Sequence, residues 1–180
     1  MKKQIQFISQ TALMLALLIV VQMLTRSLPT YVTGSLVNAL LLLSTFLIGL
    51  NSGLFIALTS PFLAFILGIG PAFIQILFFV AIANAIIVTL AWLLAKNSIS
   101  STTKTARIKS SGGLAIASLA KMTFLWLGLV KFALPLIPGL KEGQIKVISA
   151  SFSWPQLITA LIGSGLALFL VPMLKKALKK

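Results

Sequence analysis

The chain has 180 residues, 59% of them hydrophobic, and carries 15 Lys and Arg against a single acidic residue, Glu142. A soluble domain of this length cannot cover so much apolar side chain, and a mean hydropathy of +1.12, spread along the chain, marks a polytopic membrane protein. With no His, no Cys and one carboxylate, general acid–base catalysis, Ser-His-Asp activation, thiolate chemistry and carboxylate metal sites all lack parts. Neither an enzyme nor a cofactor is expected.

A net charge of +14 raises nucleic acid as a partner in a soluble protein. Here the basic residues cluster in short segments between apolar runs, which is the pattern of membrane topology. The expected surroundings are a lipid bilayer, and no nucleic acid.

Apolar runs and breakers give an all-α bundle of six transmembrane helices forming one domain over residues 1–180. The first span covers roughly Ile5–Leu24 and is closed by Arg26 and Pro29. It resembles a secretory signal in its Lys2, Lys3 and apolar core, but no small-x-small cleavage site follows, so it reads as an uncleaved span. The second, roughly Thr33–Leu50, ends at the turn signal GLNSG. The third, roughly Leu54–Ile69, contains Pro61 as an expected kink and stops at GIGP. The fourth begins near Pro71, a favoured first-turn position, and continues to about Ala95. A polar, basic loop follows, about residues 96–111. The fifth span lies within Leu114–Leu136, and the sixth starts near Trp154–Pro155 and ends before KKALKK.

An even number of spans puts both termini on one side. Lys2, Lys3, Lys96, Lys104, Arg107, Lys109, Lys175, Lys176, Lys179 and Lys180 fall on that side, against Arg26, Lys141 and Lys146 on the other. By the positive-inside rule the termini and the basic loop are cytoplasmic in a multi-pass protein of the cell membrane. With direction assigned, Lys121 is expected near the cytoplasmic end of the fifth span, where it can snorkel. Lys131 is six positions before Ile137, about 9 Å below the outer helix end at the helical rise.

The uncharged polar residues then fall largely on one level. Gln22 is near the outer end of the first span, Asn38 five residues inside the second, Gln75 about one turn into the fourth and Gln156 at the outer start of the sixth. Lys131 joins them from the fifth span, while Asn84 stands apart near mid-depth. Amides and charges placed in lipid must find partners, so this convergence indicates an outward-facing polar pocket, with Trp126 and Trp154 as candidate stacking walls. Gln and Trp near helix ends are also ordinary interface residues, and Lys131 has the alternative of snorkelling outward or pairing with Glu142. A pocket of amides and one cation favours a ligand with carbonyl, amide or carboxylate acceptors over a cation.

The chain has no G-x-x-x-x-G-K-[ST] phosphate loop and no intramembrane Asp, Glu or His relay, so any uphill transport must be powered by another polypeptide. In the first span Ala12 and Ala16 stand four apart on one face, a spacing that lets a second helix approach closely.

Size, six spans, cytoplasmic termini, the missing ATP motif and Ala12-x-x-x-Ala16 together resemble the substrate-binding S components of energy-coupling factor (ECF) transporters. The stretch TGSLVNALLLLSTFLIGLNSGLFIALTSPFLAFILGIGPAFIQILFFVAIANA is similar to the second to fourth spans of that family. The resemblance implies a subunit that captures a water-soluble vitamin or related micronutrient at its outer side. TRSLPTYVTG would be its lid, and Ala12 and Ala16 would dock on a membrane coupling subunit driven by two ATPase subunits. The alternatives are a stand-alone small-solute facilitator and a non-transport membrane assembly protein.

Overall fold

The computed structural model describes residues 1–70, 73–101 and 103–178. Pro71, Lys179 and Lys180, assigned above to a helix start and to the basic side, lie outside the described residues. Among the described residues the helices are α1 (Lys2–Leu24), α2 (Thr30–Leu47), α3 (Leu50–Ile66), α4 (Ile74–Ala95), α5 (Lys104–Phe124), α6 (Glu142–Ser151) and α7 (Trp154–Leu178). Beyond Phe124, α5 continues into a π-helical stretch, Leu125–Ala133, and a 3₁₀ turn, Leu134–Leu136. Helix is the expected answer to hydrocarbon, where each backbone N–H and C=O must be paired within the segment. Among the described residues, five helical stretches are long and apolar enough to cross a membrane, and Leu50–Ile66 is a shorter apolar helix beside them.

The breakers act where their chemistry requires. Pro29, with φ near −53°, stands immediately before α2. Gly49 links α2 to α3 with φ of +144°, a backbone that side-chain-bearing residues rarely adopt. Pro61 lies inside α3.

The helices run up and down, so the chain start, the α2–α3 link, residues 96–101 and the end of α7 share one end of the bundle. The α1–α2, α3–α4 and α6-bearing connections share the other. The larger apolar cluster includes Leu18, Leu41, Ile56, Ile87, Leu114 and Val171, and a smaller one gathers Ile76, Leu125, Leu129 and Leu134 nearer the α6 end. Small residues set the closest crossing. A Cβ at Gly163 of α7 would stand 2.6 Å from Asn38 Cβ and 2.8 Å from the Ser35 carbonyl oxygen on α2. Side-chain hydrogen bonds link further helices, Thr11 to Ser52 at 2.9 Å and Ser118 to Ser164 at 3.1 Å, as polar groups do where no water competes.

Two features depart from the sequence reading. The helix after the basic segment starts at Lys104, not near Leu114, so half of the stretch read as loop is helical. The stretch before α7 holds α6, a ten-residue helix with no buried residue. At its start Gln144 Oε1 accepts from the Lys141 N–H at 3.0 Å, one half of a capping box.

Candidate functional site

Three of the helices meet on one ammonium group. Lys121 Nζ donates to Asn38 Oδ1 at 2.6 Å and to Asn84 Oδ1 at 2.8 Å, joining α5 to α2 and α4. Lys121 is 3% exposed, Asn38 2% and Asn84 3%, so the group is shut away from bulk water. The chain's one carboxylate, Glu142, lies exposed at the start of α6. The ammonium is therefore held by two neutral amides rather than by a counter-charge.

Donor counting defines what this node presents. An ammonium has three N–H donors and no acceptor, and among the described residues two are taken. Because Lys121 can only donate, both amides must turn Oδ1 toward it. The Asn38 NH₂ then donates to the Gly34 carbonyl at 2.9 Å, and the Asn84 NH₂ has no acceptor among the described residues.

The node lines a cavity of about 330 Å³, the lower end of the range for small-molecule sites. Around it stand Gln22 and Arg26 from the end of α1 and its connector, Thr30, Thr33 and Asn38 from α2, and Ser60 from α3. Gly68 and Gly70 from the α3–α4 connection, Asn84 from α4, and Phe152 and Gln156 from the α6–α7 junction complete the polar side and the rim. These connections all belong to the end of the bundle away from the chain start. Gln22 Oε1 is buried there with no hydrogen-bond partner among the described residues. Gln156 Nε2 donates to the Ser151 carbonyl at 3.2 Å, tying the cavity wall to the last turn of α6. On the connector, Thr33 Oγ1 donates to the Thr25 carbonyl at 2.9 Å, bracing TRSLPTYVTG against the end of α1.

Of the residues proposed from sequence, Gln22, Asn38, Asn84 and Gln156 line this cavity. Lys131, Trp126, Trp154 and Gln75 do not, and their assignment to it is corrected. Lys131 is exposed, with Nζ 5.3 Å from the ring centroid of the equally surface-lying Trp126. Trp154 is 68% exposed at the start of α7, and Gln75 is exposed on the first turn of α4. The cation of the cavity is instead Lys121, which the sequence reading had snorkelling at a helix end. The reason is the face that Lys121 occupies: it follows Leu114, Ala117 and Ser118 on the buried side of α5 and is turned inward onto Asn38 and Asn84. Arg26 was taken as a span terminator and its place at the rim was missed, although it lies within the segment read as a lid. Ala12 and Ala16 are exposed on α1, a helix that buries only Thr11 and Leu18.

Among the described residues this is a helical bundle of the multi-pass membrane class, with a mostly apolar cavity at one end into which a buried lysine and several amides project. The family follows from the whole chain: a family model described as ECF transporter, substrate-specific component, matches residues 6–175, and the chain belongs to that family. No curated protein and no solved structure matches it. Members of the family are the substrate-binding subunits of ECF transporters rather than enzymes, and they work with a membrane coupling subunit and ATPase subunits.

Proposed function

We propose that this chain is the substrate-capture subunit of an ATP-driven ECF importer in the cell membrane, taking up a water-soluble vitamin or related micronutrient. The observation that carries the reading is the cavity built on Lys121: a buried ammonium held by two neutral amides, facing a space the size of a small molecule. A structural lysine in lipid would be matched by an acid or carried to the interface. A lysine with a spare donor beside a cavity is suited to bind.

The chain forms one six-span domain. Its charge asymmetry supports a cytoplasmic side for both termini and the basic region, about residues 96–111, an orientation that turns the cavity outward, toward the nutrient. Asn38, Asn84, Lys121, Gln22 and Gln156 form the binding set, and the α1–α2 connector closes over it. Ala12 and Ala16, on the sparsely buried α1, supply the face that docks on the coupling subunit. Lysine and amides in the membrane have no role in ATP hydrolysis, which fits a subunit driven by separate ATPases.

The test is purification of the folded protein in mild detergent, followed by mass spectrometry of co-purifying small molecules and challenge with a micronutrient panel. One stoichiometric compound, or saturable binding of one panel member, is expected. A folded preparation that binds none of them would leave the assembly-protein alternative standing.

A further inference from the structure

Among the described residues, the charged groups and the node groups that the cavity offers without a protein partner are donors. At the node these are the third N–H of Lys121 and the NH₂ of Asn84, whose amide orientation is set by its carbonyl accepting from Lys121. At the rim it is Arg26, an exposed guanidinium on the α1–α2 connector. The acceptors are neutral: Gln22 Oε1, buried with no partner among the described residues, and the side-chain oxygens of Gln156, Ser60 and Thr30. Among the described residues no acid lines the space, and Phe152 is the one aromatic side chain on its wall. An aromatic cage for a cation is therefore missing.

From these observations we infer that the ligand is a small organic anion that also bears an N–H or O–H donor. Its carboxylate or phosphate accepts from Lys121 and Asn84, its donor meets Gln22 Oε1, and Arg26 adds positive field at the entrance. A ligand of this kind answers three otherwise unmet groups at once. A cationic ligand would enter a space with two positive side chains and no acid to face it, and would leave the donors unpaired. A neutral ligand would satisfy donors but not the buried charge, whose hydrogen bonds are strongest to an ionised acceptor. The inference rests on the capture reading above and narrows it to one ligand class.

The experiment uses the full chain in lipid nanodiscs and matched probe pairs: 4-aminobenzoate with 4-aminobenzamide, pantothenate with pantothenol, and pyridoxine 5′-phosphate with pyridoxine, with thiamine as a cation. Affinity is measured by calorimetry, with size-exclusion profiles confirming the fold. One anion is expected to bind, its neutral counterpart about 10- to 100-fold more weakly, the range of a charged hydrogen bond. The pair that shows the preference tells carboxylate from phosphate. Lys121→Met is expected to abolish the preference. Arg26→Gln, at an exposed position that folding does not depend on, should weaken the anion by less and flatten its salt dependence. If a neutral partner or thiamine binds as tightly as any anion, the inference is overturned and the capture reading survives. Should Lys121→Met not fold, an Arg26→Gln protein with unaltered anion preference and salt dependence overturns it equally. A folded wild type that binds no probe overturns both.

Discussion

Lys121 Nζ lies 2.6 Å from Asn38 Oδ1 across 83 positions of sequence, so a charged group from the fifth long helix is held by an amide from the second in the interior of the bundle. The contact is held from behind as well. Asn38 is backed by Gly163 of α7, whose missing side chain is what lets the two helices approach.

Removing one member of this node should cost more than removing the node. Asn84→Ala leaves a buried ammonium one acceptor short and is expected to destabilise the ligand-free protein by about 1–3 kcal/mol. Combining Asn84→Leu and Asn38→Leu with Lys121→Met replaces the set by apolar groups, and is expected to recover most of that loss while eliminating binding. Equilibrium unfolding in detergent, arranged as a mutant cycle, measures the coupling.

Gly163 positions the site without lining it. Gly163→Leu must push α7 away from Ser35 and Asn38, so a loss of about 1–3 kcal/mol in stability is expected from overpacking. Ligand affinity should fall with it, because Asn38 moves relative to Lys121. Unchanged affinity in a folded Gly163→Leu protein would remove the link between this crossing and the site.

Gln22 should separate stability from binding. Its buried Oε1 has no partner among the described residues, and Gln22→Leu removes that unmet acceptor. The ligand-free variant is expected to be more stable than wild type by about 1 kcal/mol. Its ligand affinity should drop. Paired thermal unfolding curves, with and without ligand, read both effects from one preparation.

Lys131 should be dispensable for binding. It stacks on Trp126 at the surface, and exposed cation–π contacts contribute about 0.5–1 kcal/mol to local structure. Lys131→Met is therefore expected to leave the ligand dissociation constant within about twofold of wild type.

Ala12 and Ala16 should matter to the partner and not to the ligand. Both are exposed on α1, so Ala12→Trp with Ala16→Trp is expected to fold and to bind ligand normally. Bulk at this spacing blocks close helix approach, and co-purification with the coupling subunit should be lost. Retained co-purification would move the docking face elsewhere.

Much of the architecture was legible in the order of residues. Apolar runs bounded by Pro29, Gly49 and the GIGP turn delimit helices because hydrocarbon admits few other backbone states, and α1 to α4 begin or end within a few residues of their expected limits. The α6 helix was not legible. Its ten residues are polar enough to read as loop, and they bury nothing. The start of α5 was missed for a related reason: KTARIKSSGG is hydrophilic, and hydropathy reports where a helix enters lipid, not where its hydrogen bonds begin.

The buried cation was missed because depth says nothing of face: Lys121 was read by its distance from a helix end, while it lies on the inward side of α5 with Leu114, Ala117 and Ser118. Lys131 had the depth for a pocket but the wrong face, and depth is all that hydropathy measures. Four amide residues, Gln22, Asn38, Asn84 and Gln156, had both. Sequence alone determined that this is a multi-pass helical protein with most of its cations in short segments between apolar runs and with amides at several depths, because each of these follows from composition and spacing along one axis. Which residues meet was decided by the tertiary structure. Rotation about each helix axis is set by close crossings such as Gly163 against Asn38, and those contacts join positions that lie far apart in the chain.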